Sequence, residues 1–203
     1  KVSKKLIKNN IKFLGSPRYS NEWLSYLRRM YKKKFNKKND QINLGFFVTP
    51  VGQNFSKHNL AITELKKDKK LNIKIRNKPR DYMIEKCCAY LKDELNTTEI
   101  INWADIIITV QSSVIIEAIK KNKIVFFLEY LIPRSYGAWP RKFKCVQIIK
   151  SKSDLLKKIE EVKKNKYSFK IKNKKSYLKI VVGNDSKYNN VLDRYAKFYN
   201  NIC

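Results

Sequence analysis

Short apolar runs alternate along the chain with segments in which apolar residues recur every three or four positions. Consecutive apolar residues bounded by polar groups predict strands that are buried on both faces. The three-and-four spacing predicts amphipathic helices. The predicted strands cover residues 11–14, 42–48, 71–75, 105–110, 124–128 and 145–149, and the predicted helices cover 21–31, 56–67, 81–95, 97–104, 112–123, 153–164 and 186–199. Residues 177–182 fit either type, and 167–175 have the composition of a loop.

This interleaving of strands and helices predicts an α/β fold. Right-handed crossovers would give a mostly parallel, Rossmann-like sheet with helices on both faces. We expect residues 1–10 to be an N-terminal extension, or a linker from a missing domain. Residues 11–165 are expected to form the Rossmann-like domain, and residues 166–203 a loop and helix that pack back on it.

The most apolar segment ends at two serines, in the stretch WADIIITVQSSVIIEA (103–118). A strand that ends in a minimal turn and a helix puts that turn at the carboxyl end of the strand, where parallel α/β sheets bind ligands. Free N–H groups at the helix start and the hydroxyls of Ser112 and Ser113 would suit a phosphate. Glu117, about one turn further on, could accept hydrogen bonds from sugar hydroxyls. The alternative is that a serine simply caps the helix and that Glu117 is a solvated surface carboxylate.

The charge of the chain indicates an anionic partner. It contains 46 Lys and Arg against 17 Asp and Glu, a net charge of +29, which fits nucleic acid, an anionic membrane or a phosphorylated substrate. However, 38 of the basic residues are Lys and only 8 are Arg, and Asn, Ile, Tyr and Phe are abundant as well. An AT-rich genome would encode this composition. We attribute most of the excess to that bias and keep a basic face that binds nucleic acid or lipid as an alternative.

The cysteines and the single histidine predict neither a disulfide framework nor a metal site. Cys87, Cys88, Cys145 and Cys203 show no CxxC spacing, which favours a reducing compartment. No apolar run reaches the length of a membrane span, and residues 1–10 lack a signal-peptide core. We therefore expect a cytoplasmic protein, with peripheral contact to the inner face of the cytoplasmic membrane left open. Because the chain begins at Lys1 rather than Met, we expect a fragment.

Four stretches in order carry a family resemblance: FLGSPRYSNEW (13–23), LGFFVTPVGQN (44–54), IKIRNKPRDY (73–82) and TTEIINWADIIITVQSSVIIEAIKKNKIVFFLEYL (97–131). Together they resemble the nucleotide-binding, carboxyl-terminal half of GT-B glycosyltransferases, above all bacterial capsule and surface-polysaccharide biosynthesis proteins. The resemblance extends to the related CDP-glycerol glycerophosphotransferases and UDP-sugar 2-epimerases. The resemblance covers residues 11–164.

The resemblance implies a set of residues that bind the donor nucleotide. The Gly15-Ser16-Pro17-Arg18 loop matches a strand–helix loop that faces the donor phosphates, and Gly15 would allow close approach of a ligand; its alternative is an ordinary turn glycine. The SS-x-x-x-E pattern matches phosphate and ribose contacts. The full set is Gly15, Ser16, Arg18, Arg76, Lys78, Arg80, Thr98, Ser112, Ser113 and Glu117.

The chain departs from the family pattern at Lys78, where relatives usually carry a histidine. A lysine can still neutralise a phosphate, but it cannot serve as a neutral imidazole. The segment with Thr97, Thr98 and Glu99 resembles one that holds the base or ribose, although helix capping is the simpler account. Further candidates are His58, interpreted as a surface residue, and three aromatic residues that could stack on a base or sugar but are more often packing: Tyr130, Tyr136 and Trp139.

The implied function is sugar transfer from a nucleotide-sugar to a glycan or lipid-linked acceptor in capsule-type polysaccharide biosynthesis. Transfer requires neutralisation of the leaving phosphate, a base for the acceptor hydroxyl and exclusion of water. This half could supply the first; the base is expected from the missing N-terminal domain, so no catalytic residue is predicted. We expect no cofactor, since the nucleotide-sugar is a substrate, and no specific nucleic acid. The alternatives are a UDP-sugar 2-epimerase-like or CDP-glycerol glycerophosphotransferase-like enzyme, and a non-catalytic basic module that binds nucleic acid or anionic lipid.

Overall fold

The computed structural model describes residues 14–31, 41–48, 55–77, 95–110, 112–132, 142–165, 167, 169–183 and 191–200. The chain divides into two compact units. The helical unit comprises Lys1–Met30 and Lys175–Cys203, and the sheet unit comprises Tyr31–Lys174. The helices are α1 (Asn21–Met30), α2 (Phe55–Lys66), α3 (Thr97–Trp103), α4 (Val114–Lys120), α5 (Lys152–Lys163), α6 (Lys174–Val182) and α7 (Val191–Asn200).

Five parallel strands form the sheet, in the order β2-β1-β3-β4-β5. They are β1 (Ile42–Val48), β2 (Leu71–Asn77), β3 (Ile106–Thr109), β4 (Ile124–Leu128) and β5 (Gln147–Ile149). Every residue of the central strand β3 is buried, as its unbroken β-branched run predicts. The predicted α/β, Rossmann-like fold with a parallel sheet flanked by helices is therefore confirmed.

The helices of the sheet unit pack closely on the strands and have well-defined ends. A Cβ on Gly45 in β1 would lie 3.0 Å from Ile100 and 3.1 Å from Ala104, so the absence of a side chain lets α3 approach the sheet. Asn122 closes α4 in the left-handed conformation (φ 57°), and the next amide donates back to the Ala118 carbonyl at 2.9 Å, a common helix-ending motif.

In the helical unit, a loop at Gly15 lies against the end of α6 and the start of α7. The Ser16 amide donates to the Val182 carbonyl at 2.9 Å, and the Tyr195 hydroxyl donates to the Gly15 carbonyl at 3.1 Å. Gly15 has φ +98°, and a Cβ there would lie 2.8 Å from the same Val182 carbonyl. Only glycine fits both constraints.

Most predicted elements in the described ranges agree with the structure. The strands at 42–48 and 124–128 match residue for residue, and β2 runs two residues further than predicted. The helix α1 is capped by the Ser20 hydroxyl, which accepts from the Trp23 amide at 3.1 Å. The last strand begins at Gln147 rather than 145, because only Gln147–Ile149 pair with β4. The ambiguous segment 177–182 is helical, and the terminal helix begins at Val191. Residues 11–13 of the first predicted strand, and 81–94 of a predicted helix, lie outside the described residues.

The two compact units differ from the predicted domains. Residues 14–30 group with the C-terminal segment, whereas the sequence suggested one domain from 11 to 165. Compactness alone does not define a domain, so the predicted boundaries stay a prediction.

Candidate functional site

The strand order reverses between β1 and β3. These strands are neighbours, yet the chain continues from β1 to β2 on one side and from β3 to β4 on the other. Parallel sheets bind ligands outside the carboxyl ends of their strands at such a reversal. We call the side on which the strands end the carboxyl edge and the opposite side the amino edge. The reversal between β1 and β3 marks the carboxyl edge as the place to look for a site.

At the carboxyl edge, β3 ends in a fully buried threonine. The Thr109 hydroxyl lies 3.2 Å from the Phe47 carbonyl and 3.1 Å from the Val110 carbonyl, within donating distance of both. Register aligns Thr109 with Phe47 on β1 and, beyond it, with Arg76 on β2. A hydrogen bond to the neighbouring strand fixes the last residue of β3, so the start of the following loop is held against β1.

The two serines after β3 lie at the start of α4, but neither caps it tightly. Ser113 holds the cap position in a helical conformation (φ −63°, ψ −16°), and its side chain makes no capping hydrogen bond. Because Ser113 is already helical, its hydroxyl does not reach back to the first-turn amides, unlike that of an extended cap residue. The Ser112 hydroxyl is 3.4 Å from the Val114 amide, a long contact. The hydroxyls are thus placed as predicted, but the predicted cap is at best weak.

Glu117 is buried and paired. Only 8% of the residue is exposed, and its Oε1 lies 2.7 Å from the Lys121 Nζ one turn further along α4. The alternative of a solvated surface carboxylate is therefore wrong, because the helix packs this side chain inward. Its role toward a ribose stays a prediction.

Arg76 and Thr98 lie around the start of α3. Arg76, near the end of β2, donates from its Nη1 to the Leu95 carbonyl at 3.0 Å. Asn96 caps α3: its side chain accepts from the Glu99 amide at 2.9 Å, while the Glu99 carboxylate accepts from the Asn96 amide at 2.8 Å. This reciprocal capping box confirms the capping account of the segment, with Asn96 as the cap. Thr98 is buried in the first turn.

Gly15, Ser16 and Arg18 belong to the helical unit. The special backbone of Gly15 is explained by its contacts with the end of α6, and Arg18 is exposed, with its guanidinium 5.7 Å from the Tyr19 ring centre. The predicted contact of this loop with donor phosphates stays a prediction.

The remaining candidates are only partly described. Lys78, Arg80, Tyr136 and Trp139 lie outside the described residues, and His58 is in α2, where only its backbone is described. Tyr130 follows β4, in the turn Glu129–Leu131 at the carboxyl edge. Burial raises the pKa of its hydroxyl, which is buried and forms no hydrogen bond with any described residue.

The structure therefore places four predicted residues at the carboxyl edge, Arg76, Thr98, Ser112 and Ser113, and a fifth, Glu117, about one turn further along α4. Sequence reasoning missed two further residues, Thr109 and Lys121. The sequence around Thr109 gives no sign of its contact with β1. For Lys121, the spacing of four residues from Glu117 in a predicted helix indicates an ion pair. In the described ranges no three His, Cys, Asp or Glu side chains come together as metal ligands would, and none of the described helices is long and apolar enough to cross a membrane.

Comparison with known proteins identifies the fold. No family model matches the sequence, and no curated protein matches it. Among solved structures, the chain is similar to a putative UDP-N-acetylglucosamine 2-epimerase from Listeria monocytogenes (TM-score 0.51, 12% identity, 87% of this chain and 55% of that one). It is also similar to the H548A variant of the wall teichoic acid polymerase TagF (TM-score 0.52, 16% identity, 97% and 54%) and to its H444N variant soaked with CDPG (TM-score 0.50, 17% identity, 84% and 46%).

These similarities confirm the predicted resemblance at the level of fold. The chain has the architecture of one GT-B half, which it shares with the wall teichoic acid polymerase and the putative epimerase. It spans about half the length of each of these structures.

Proposed function

We propose that this chain is the donor-nucleotide-binding half of a glycosyltransferase of cell-surface, capsule-type polysaccharide biosynthesis. It would bind a nucleotide-sugar whose sugar is transferred to a glycan or lipid-linked acceptor, with the base supplied by a further domain. The shared GT-B half-fold supports this assignment.

One observation carries the proposal. Four of the described helices begin at the carboxyl edge, and the residues that cap three of them, α3, α4 and α5, are described too; two of these three are closed by their own side chains. Asn96 and Glu99 close α3, and the Ser151 hydroxyl accepts from the Asp154 amide at 3.0 Å to close α5. The start of α4 has only the long Ser112 contact, and it alone of the three follows β3, at the reversal of strand order. Amides left unclosed at this point suit the phosphates of a nucleotide.

Each residue of the site would have a distinct task. Ser112, Ser113 and the amides at the start of α4 would hold a phosphate of the donor. Arg76 would add positive charge, since the Leu95 carbonyl engages one of its five N–H donors. Glu117 would accept hydrogen bonds from the ribose. Lys78, Arg80, Gly15, Ser16, Arg18 and Thr98 remain proposed contacts on the strength of the family pattern.

Tyr130 is a further candidate for a donor contact. Its hydroxyl is buried at the carboxyl edge without a partner among the described residues, and an unpartnered buried hydroxyl costs about 1–3 kcal/mol. A sugar or base in the site would satisfy it.

Calorimetry with CMP, CDP and UDP tests the proposal on a Ser112→Ala, Ser113→Ala variant. We expect affinity to fall about tenfold, or roughly 1.4 kcal/mol, with stability changed by less than about 0.5 kcal/mol because neither serine caps the helix well. Ser151→Ala is the matched control: removal of its true cap should cost about 1 kcal/mol of stability and leave affinity unchanged.

Two results would contradict the proposal. One is equal affinity of the double variant and the original chain. The other is binding of RNA with a steep salt dependence and of no nucleotide, which would favour the basic module. A preference for CDP over UDP would favour the glycerophosphotransferase-like alternative.

A further inference from the structure

The large apolar side chains that remain exposed are concentrated in the helical unit. Of the eight such side chains in the described residues, six belong to this unit, and only Tyr31 and Leu60 belong to the larger sheet unit. The six are Trp23, Tyr26, Met30, Ile180, Leu192 and Tyr199. Isolated exposed apolar residues are common, but a concentration of them marks an interaction surface.

Three of the six form a continuous row on α1, which we call the α1 stripe: Trp23, Tyr26 and Met30. At 100° per residue they fall within an arc of about 60° on the helix. They are 41%, 44% and 61% exposed, and the Trp23 and Tyr26 rings stack with centres 5.4 Å apart. Leu24 is buried instead. The helix therefore has one apolar side packed inward and a second apolar side facing outward.

Positive charge lies beside one side of this stripe. At 100° per residue, Arg29 is about 60° from Tyr26 around the helix, whereas Arg28 is on the opposite side. Both are exposed in the last turn of α1, and Arg18 is exposed in the turn that precedes it. The whole helical unit contains 13 basic and 3 acidic residues, a net charge of +10. A partner must therefore present apolar and anionic surface together.

We propose that the α1 stripe inserts into the interface of a membrane that carries anionic headgroups, with Arg29 binding those headgroups. Trp and Tyr favour the membrane–water interface, and an amphipathic helix with aromatic residues on one side and cations beside it lies in that plane. Each cation near an anionic surface adds about 1 kcal/mol.

Nucleic acid fits the stripe less well. Bases bind to such proteins by stacking on free aromatic faces, whereas Trp23 and Tyr26 stack on each other and Met30 offers no ring. The proposal stands apart from nucleotide binding, because no residue of the α4 site takes part in it.

Co-sedimentation of the 203-residue chain with vesicles tests the proposal. We expect binding to vesicles of equal parts phosphatidylcholine and phosphatidylglycerol, and little binding to phosphatidylcholine alone. The triple variant Trp23→Ser, Tyr26→Ser, Met30→Ser should bind at least tenfold more weakly. Met30→Ser should weaken binding and Leu60→Ser should not, although Met30 and Leu60 are equally exposed at 61%.

The charged residues have their own comparison. Arg29→Gln should weaken binding to the anionic vesicles several-fold. Lys66→Gln removes the same charge from an exposed site on the sheet unit and should have the smaller effect. Equal losses from the two variants would indicate attraction by net charge alone and would overturn the proposal.

A second measurement covers the case in which the triple variant does not fold. Brominated lipids should quench the tryptophan fluorescence of the bound chain, and Trp23→Phe should remove most of that quenching. Undiminished quenching would overturn the proposal, as would undiminished vesicle binding by a folded triple variant. Two further results would overturn it. One is that the original chain is a dimer and the triple variant a monomer. The other is that the triple variant loses affinity for RNA rather than for vesicles.

Discussion

The two edges of the sheet differ in what their charged side chains do. Helices end at the amino edge, where free carbonyls attract cations, and the protein supplies those cations itself. The Lys123 Nζ donates to the Asn102 and Ala104 carbonyls at 3.0 and 2.7 Å, which closes the end of α3. The Lys174 Nζ donates to the Lys120 carbonyl at 3.1 Å, at the end of α4.

At the carboxyl edge helices begin, and free amides attract anions. Of the three starts whose capping residues are described, two are closed from within, but α4, beside the reversal of strand order, has only the long Ser112 contact. The comparison teaches that the amino edge is committed to stability, whereas the carboxyl edge keeps one polar opening. Substitutions that remove amino-edge hydrogen bonds should therefore change stability and leave affinity intact, and removal of the Ser112 and Ser113 hydroxyls at the polar opening should do the reverse.

The largest stability effect is expected from Asp105→Ala at the amino edge. The Asp105 Oδ2 accepts from both the backbone amide and the side-chain Nδ2 of Asn43, each at 3.0 Å, and Asn43 is 2% exposed. Loss of the carboxylate leaves two buried donors unsatisfied, so we expect a loss of about 2–3 kcal/mol in urea unfolding.

The comparison is sharpened by the matched variant Asp105→Asn, which keeps an oxygen acceptor and should lose only about 1 kcal/mol. Nucleotide affinity of the folded fraction should be unchanged in both variants. A drop in affinity as large as that of the Ser112 and Ser113 double variant would break the division between the edges.

The next effect is expected on affinity, at Lys121. Its ammonium holds the Glu117 carboxylate at 2.7 Å, and both side chains are 10% exposed. If Glu117 binds the ribose, Lys121→Met should weaken UDP or CDP binding about fivefold, or roughly 1 kcal/mol, because the carboxylate loses its orientation. Lys121→Arg should restore most of it.

Calorimetry with ribose and 2′-deoxyribose nucleotides gives the decisive measurement for Lys121. The original chain should favour the ribose form, and Lys121→Met should reduce that preference. The adjacent Lys120→Met, with the same loss of charge, is the control. Equal losses from Lys120→Met and Lys121→Met would mean that charge, rather than the position of Glu117, decides affinity.

Local signals predicted the sheet well and the connections between distant segments poorly. The β-branched run of β3 and the apolar run of β4 identify buried strands by themselves, which is why their bounds were readable. The reciprocal cap of α3 is indicated by Asn96 three residues before Glu99, although the neighbouring Thr97 and Thr98 are also residue types that cap helices.

The loop at Gly15 shows what the sequence could not reveal. The Ser16 amide donates to the Val182 carbonyl and the Gly15 carbonyl accepts from the Tyr195 hydroxyl, partners more than 160 residues away in sequence. No local pattern indicates such a pairing. The GSPR motif indicates a turn that needs glycine, and that is correct, but a ligand and a neighbouring carbonyl impose the same requirement. Only the structure shows the carbonyl.

The smallest effect is expected from the ion pair between Lys163 and Asp68, which joins the end of α5 to the turn before β2 at the amino edge. The hydrogen bond from Lys163 lowers the pKa of Asp68, and Asp68 raises the pKa of Lys163. The pair should therefore stabilise the fold above the usual Asp pKa of 3.8 and below the usual Lys pKa of 10.5. Its contribution should disappear as pH falls through the lowered pKa of Asp68 or rises through the raised pKa of Lys163.

Because both side chains are partly exposed, we expect Lys163→Met to cost less than about 1 kcal/mol at neutral pH, with unchanged nucleotide affinity. Urea unfolding of both proteins across pH measures the difference, and a loss that persists undiminished at pH well below 3.8 would assign the effect of Lys163 to its packing rather than to its charge.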